Sequence, residues 1–321
     1  MMNKERKAAI AANEISVVEE FNLGGYKQKV LIEGKNKNLP VVITLHGGPG
    51  TPIPFCVGAR GLFPIFTDNC ILVSWDQYGC GINNAKLPED ISIGDFVNMT
   101  VDLIKEIKNR FPDNPLWLLG MSWGSVLSAM AAKQVPELIS GVITYGQVLY
   151  QLMQSENTID TLMNSKAPKK IKAEIKAAVD SKKIDHKTAM KISAAIRKYT
   201  YGYNNPKEPK ADVGKIILGI MKSPDYKFRD FKAVVINGYM KNTSLITELS
   251  ALDLRETLKS VAVPYHILQG ETDIVTDTSI ILSFVKEAGN SHLDCKVIPN
   301  SAHIPGTNGM KAIFDEILRL K

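Results

Sequence analysis

Long apolar runs are missing from this 321-residue chain, and no stretch approaches the roughly 18 apolar residues that a membrane-spanning helix needs. A transmembrane protein is therefore not expected. The basic residues Lys4, Arg6 and Lys7 precede only AAIAA (8–12) before Asn13 and Glu14, too short an apolar stretch for a secretory signal. Cysteine is scarce: Cys56, Cys70, Cys80 and Cys295 form no C-x-x-C pair and no metal-ligand spacing. That argues against a disulfide framework and for buried thiols in a reducing, cytoplasmic setting. A chain of this length buries about 75% of its unfolded surface and needs no such staple.

Acidic residues are short in one region only. Residues 151–250 hold 19 lysines and arginines against 10 acids, whereas the whole chain is only +6. A basic block can signal nucleic acid or an anionic surface. Here Lys166, Lys169, Lys170, Lys172, Lys176, Lys182, Lys183, Lys187 and Lys191 recur at helical spacing among Ile and Ala. They read as a solvated helix face, and no nucleic-acid motif accompanies them, so neither nucleic acid nor membrane is an expected partner.

What is present is strand–helix alternation. Two runs, 17–23 and 27–33, flank Gly24-Gly25 as a hairpin. PVVITL (40–45), CILVSW (70–75), LWLLG (116–120) and SGVITY (140–145) are short buried-strand runs. Between them Ile93, Phe96, Val97, Val101, Ile104 and Ile107 mark one helix face, and SVLSAMAAK (125–133) a helix of small residues. From 148 the pattern turns Lys/Ala/Met-rich and helical, with NNPKEP (204–209) as a break. VPYHILQG (263–270) and LDCKVIP (293–299) then restore strands, with helices at 278–289 and 310–320. This predicts an α/β fold: a mostly parallel sheet flanked by helices, its core at 1–147 and 256–321, interrupted by a helical cap at 148–255.

Chemistry is concentrated in Gly120-Met121-Ser122-Trp123-Gly124, a G-x-S-x-G with a strand before it and a helix after it. A serine on so sharp a turn needs small residues two places to either side, as Gly120 and Gly124 provide. Its hydroxyl needs a base oriented by a carboxylate, in the chain order Ser, acid, His. His46 precedes Ser122, His186 lies in the lysine-rich block and His266 lies within a strand. His303 follows the last strand, where α/β sheets place their sites; His292, just before that strand, is the weaker alternative. Asp273 stands at the carboxyl end of the 263–270 strand; Asp277 reads as a helix cap and Glu271 as a weaker rival. Acyl transfer also needs oxyanion donors, for which the backbone N–H groups of Gly48, in HGGPG (46–50), and of Trp123 are the candidates. His46 reads as a support for that loop.

Together these segments resemble the α/β-hydrolase fold and, more narrowly, the proline iminopeptidase (prolyl aminopeptidase) group. The resemblance rests on HGGPG (46–50), DQYGCGIN (76–83), GMSWGS (120–125) and the late Asp273 and His303, and covers most of 16–147 and 260–321. It implies a serine hydrolase, with Ser122, Asp273 and His303 as the triad, acting on a small-molecule or short-peptide substrate without metal or organic cofactor. The chain departs from the group in four places. Tyr78 stands where Arg is usual, and Asn83 or Asn84 near a usual Ser. The cap lacks the W-x-x-W-E segment, all three tryptophans (Trp75, Trp117, Trp123) lying outside it, and the segment from Val234 through Asn237 and Gly238 to Tyr239 lacks the second glutamate. Glu156 and Glu248 remain as candidates for holding a substrate amino group. An esterase or lactonase for small acyl groups, and a non-catalytic ligand-binding protein on the same scaffold, are the rival readings. Dehalogenase or epoxide-hydrolase chemistry would want an aspartate at position 122.

Overall fold

The computed structural model describes residues 4–181, 184–209, 212–236, 239 and 242–320; Lys182, Lys183, Asn237 and Gly238, named above, lie outside the described residues. The chain opens with α1 (Lys4–Ala11) and the hairpin β1 (Ile15–Leu23) and β2 (Tyr26–Gly34). It continues through β3 (Val41–Leu45), α2 (Pro64–Thr67), β4 (Ile71–Trp75), α3 (Ile93–Arg110), β5 (Leu116–Met121), α4 (Trp123–Gln134) and β6 (Gly141–Tyr145). A stretch follows that is helical throughout among the described residues, with α5 (Glu156–Asn164), α6 (Lys169–Asp180), α7 (His186–Tyr199), α8 (Val213–Met221), α9 (Phe228–Val235), α10 (Thr243–Ala251) and α11 (Arg255–Lys259). Then come β7 (Tyr265–Gly270), α12 (Thr278–Ala288), β8 (Leu293–Ile298) and α13 (Thr307–Leu318).

Among the described residues eight strands form one sheet in the order β1-β2-β4-β3-β5-β6-β7-β8. Only β1 with β2, and β2 with β4, pair antiparallel; the rest is parallel. The physical reason is visible in the side chains. β3, β4 and β6 are buried at every position, as strands covered by helices on both faces must be. The edge strand β8 is buried only at its ends, Leu293 and Ile298, with exposed and half-buried positions alternating between them. Below the sheet, α3 starts on a capping box between Ser92 and Asp95 and buries the face expected from the sequence, including Phe96, Val97, Ile104 and Ile107. The small residues Gly124, Ser125, Ser128, Ala129, Ala131 and Ala132 of α4 are buried, which lets that helix lie close to the sheet.

The helical stretch sits at the carboxyl ends of the strands. Leu162, Ile175, Ile192 and Ile196 from α5–α7 pack with Ile274 and Val275, which follow β7. Ile220 of α8, with Tyr226 and Phe231 beyond it, packs on Cys56, Ala59 and Leu62 in the loop after β3. Lys166, Lys169, Lys170, Lys176 and Lys187 are exposed, as read, and Lys191 pairs with Glu174; Lys172 departs from that reading, half-buried and donating to the carbonyls of Met163 at 2.7 Å and Ser165 at 2.6 Å. Cys56, Cys70 and Cys80 are buried and Cys295 half-buried, all four as free thiols. Helix α1 was not expected. Its Arg6 is buried and donates to the carbonyls of Arg60 at 2.6 Å, Gly58 at 2.9 Å and Gly219 of α8 at 2.6 Å. Among the described residues no helix is long and apolar enough to cross a membrane.

Candidate active site

Strand β5 ends at Met121 and α4 begins at Trp123, so Ser122 alone makes the turn. Its backbone sits at φ 50° and ψ −115°, a left-handed φ that a non-glycine residue keeps only when its surroundings enforce it. Backbone crowding does the enforcing. A Cβ on Gly120 would stand 2.7 Å from the carbonyl oxygen of Gly124, and one on Gly124 would overlap that of Leu45. The turn therefore rests directly on the end of β3. The Ser122 N–H donates to the carbonyl of Tyr145 at 2.9 Å, and the Ser125 hydroxyl donates to the carbonyl of Ser122 at 2.6 Å.

His303 lies on the loop between β8 and α13, and its Nε2 is 2.8 Å from Ser122 Oγ. Its Nδ1 is 2.8 Å from Asp273 Oδ2. With Nδ1–H donating to the carboxylate, Nε2 is the nitrogen left to accept the serine proton. Asp273 is buried, and donors surround it as a buried carboxylate requires. Its Oδ1 accepts the N–H groups of Val275 at 2.8 Å and Thr276 at 3.0 Å, and Oδ2 accepts the Thr276 hydroxyl at 2.8 Å. Gly146, at φ 67°, leaves room for the ring: a Cβ there would come within 3.2 Å of His303 Cε1. The other candidates lie apart. His266 pairs with Asp294 at 2.5 Å, which raises its pKa; His292 is exposed. Asp277 caps α12 through Ser279 N–H, and Glu271 accepts the Asn300 N–H.

The loop after β3 brings Gly47 against the nucleophile, since a Cβ on Gly47 would lie 3.3 Å from Ser122 Cβ. Gly48 holds φ 120°, a conformation that glycine adopts without strain. Trp123 opens α4, where a backbone N–H has no acceptor within its own helix. These two N–H groups thus belong to segments that flank Ser122. His46 fixes the loop: its Nε2 accepts the Gln77 N–H at 3.1 Å, and Nδ1 is 3.0 Å from its neighbour's carbonyl, that of Gly47. Burial lowers its pKa to about 4, so it stays neutral. Gln77 also takes the Trp123 indole N–H at 2.8 Å.

The departures at 76–84 have structural work. The Tyr78 ring stacks on Tyr26 with centroids 4.2 Å apart. Asn83 clamps β2 through both the N–H and the carbonyl of Lys29, at 2.8 and 2.9 Å. Asn84 donates to Asp230 of α9 at 2.7 Å. Asp76 is fully buried, accepting the N–H groups of Val57 at 3.0 Å and Ile82 at 2.8 Å and the hydroxyl of Tyr226. Burial pushes its pKa up to about 6.

Neither carboxylate offered by the sequence for an amino group is brought to Ser122. Glu248 is exposed on α10 and accepts the N–H of Ile93 at 2.9 Å, capping the start of α3. Glu156 is exposed in the first turn of α5, beside a cavity that it lines with Asp160 and Asp277 but not with Ser122, Asp273 or His303. Glu248 is satisfied by the start of α3, and Glu156 lies in the first turn of its own helix, where a negative charge is favoured. What the helical stretch does bring to the site is Tyr203, whose ring meets His303 edge-on at 5.6 Å. Thr276, Gly146 and Tyr203 were not singled out from sequence; only Thr276, three residues after Asp273, carried a local signal.

A model of the alpha/beta hydrolase fold family matches residues 40–307. The chain is 23% identical over 301 residues to a probable aminopeptidase, YbaC, of Bacillus subtilis, covering 91% of this chain and 92% of that one. It is 25% identical over 247 residues to a proline iminopeptidase of Thermoplasma volcanium, covering 73% and 74%. Among solved structures, the proline iminopeptidase of Mycobacterium smegmatis superposes with a TM-score of 0.62 at 17% identity, covering 94% of this chain and 97% of that one.

Proposed function

The chain belongs to the α/β-hydrolase fold family and is a hydrolase, and from that premise we propose that it is a serine hydrolase working through an acyl-enzyme. The observation that carries the reading is the alignment of Ser122 Oγ, His303 and Asp273 through two contacts of 2.8 Å each. Ser122 Oγ attacks the substrate carbonyl carbon while His303 Nε2 takes its proton. The oxyanion is held by the N–H groups of Gly48 and Trp123. His303 passes the proton to the leaving group, and Asp273 keeps the imidazole in the productive tautomer and stabilises its charged form. Water, deprotonated by the same histidine, then releases the acyl group from Ser122. The helical stretch between β6 and β7 serves as the cap over this site.

For the acyl group we favour a small N-terminal residue of a short peptide, proline foremost. HGGPG, GMSWGS and the two aminopeptidase-named relatives support it. One observation favours a second reading, a small-acyl esterase or lactonase: Glu156 and Glu248 face elsewhere, and a buried ammonium without a carboxylate is costly. Comparing kcat/KM for a prolyl arylamide and a short-chain aryl ester decides between them. A fluorophosphonate probe tests the shared premise, because a non-catalytic scaffold would not label at Ser122.

A further inference from the structure

The break NNPKEP between α7 and α8 carries a carboxylate the reading so far leaves without a role. Glu208 is buried, and two donors satisfy it: the Ser301 hydroxyl at 2.9 Å and the Gly309 N–H at 3.0 Å. Both partners frame His303. Ser301 lies two residues before it, and Gly309 is in the first turn of α13, where a backbone N–H lacks a partner in its own helix and favours an anion.

The same segment follows the histidine loop along its length. The N–H of His303 donates to the carbonyl of Gly202 at 3.0 Å, that of Ile304 to Tyr203 at 3.0 Å and that of Thr307 to Pro209 at 3.0 Å. On its other side the loop is tied to β6. The Tyr145 hydroxyl donates to the Ala302 carbonyl at 2.8 Å and lies 2.7 Å from Ser301 Oγ, while the carbonyl of the same tyrosine accepts the Ser122 N–H. Ser301 thus stands between Tyr145, which holds the nucleophile's turn, and Glu208, which comes from the helical stretch.

We propose that Glu208 is a positioning residue: its carboxylate holds the loop that carries His303 in register with Ser122 and Asp273, so that docking of the 201–209 segment is a condition for turnover. The proposal rests on the triad reading above.

Glutamine can replace this carboxylate with the chain of bonds intact. Its oxygen takes the Gly309 N–H, its NH2 donates to Ser301 Oγ, and the Ser301 proton turns to Tyr145. Alanine leaves the Gly309 N–H and the Ser301 hydroxyl without their partner and opens a gap beside the loop. The test is steady-state kinetics of Glu208→Gln, Glu208→Ala and Ser301→Ala on whichever chromogenic substrate the wild type cleaves, with fluorophosphonate labelling of each. Glu208→Ala is expected to lower kcat about tenfold or more with KM within about twofold, because a displaced base slows chemistry rather than binding. Glu208→Gln restores kcat to within about threefold of wild type. Ser301→Ala, which removes the same bond from the core side, shows the same slowed labelling if Glu208→Ala fails to fold. Wild-type kcat and wild-type labelling rates in both Glu208→Ala and Ser301→Ala would overturn the proposal. Failure of the wild type itself to label would instead overturn the triad reading beneath it.

Discussion

Gly124, in the first turn of α4, lies so close to Leu45 at the end of β3 that a Cβ on it would overlap the Leu45 carbonyl oxygen and stand 3.0 Å from that of His46. The nucleophile's turn and the loop after β3 are thereby one packed unit. Gly124→Ala is expected to push them apart, costing about 1–3 kcal/mol or more as overpacking does. Thermal denaturation and activity should fall together, because the loop that moves carries Gly48. A variant with wild-type melting and wild-type rate would mean that β3 yields freely.

Ser122→Ala should behave in the opposite way. Alanine tolerates the φ of 50° about as well as serine, so the melting temperature should hold. Hydrolysis and probe labelling should drop by about a thousandfold or more, as for loss of a triad nucleophile. Residual activity above about one hundredth would place the nucleophile elsewhere.

Asp76 gives the stability a signature in pH. Its folded pKa of about 6 is above its ordinary 3.8, so the folded state binds the proton more tightly. The stability it contributes is complete below about 3.8 and is lost as pH rises through about 6. The window is worth on the order of 3 kcal/mol for a fully buried group. Melting temperatures measured from pH 4.5 to 7.5 should fall more in the wild type than in Asp76→Asn, which cannot titrate. Parallel curves would remove Asp76 from the balance.

Glu156→Gln and Glu248→Gln should leave kcat/KM for a prolyl arylamide unchanged within about twofold, since neither side chain reaches the Ser122 site. Glu248→Ala should instead cost about 0.5–1 kcal/mol of stability by removing the acceptor of the Ile93 N–H at the start of α3, whose Ser92–Asp95 capping box remains. A sharp rise in KM for either Gln variant would show that the carboxylate turns inward when substrate binds.

The parts of the molecule legible in the sequence are those whose signal is local. The sheet could be read because its strands are short β-branched runs ending in glycine loops, and the Ser122 turn because a strand, two glycines and a helix surround it. Asp273 and His303 could be placed because each follows a strand within a few residues. The rest was set by partners far along the chain. Glu248 caps a helix through Ile93, 155 residues away, and Glu208 meets Ser301 across 93. No pattern of charge in a lysine-rich block reveals which acid finds a distant N–H. Helix α1 escaped for a related reason: its one buried side chain is an arginine, which a search for apolar faces passes over.

That arginine has a mechanical consequence. Two of the three carbonyls it grips, Gly58 and Arg60, belong to the loop after β3, and the third, Gly219, belongs to α8. The guanidinium rivets a joint that also carries the packing of Ile220, Tyr226 and Phe231, the Arg60–Asp225 pair and the Tyr226 hydroxyl on Asp76, whereas the seam at the His303 loop is stitched by backbone bonds. A chain trimmed to begin at β1 would keep every strand together with Ser122, Asp273 and His303 and lose the rivet. Helix α8 would then be held to the loop after β3 by side-chain packing and pairing alone, a joint with no backbone acceptor in it among the described residues, unlike the seam beside the histidine.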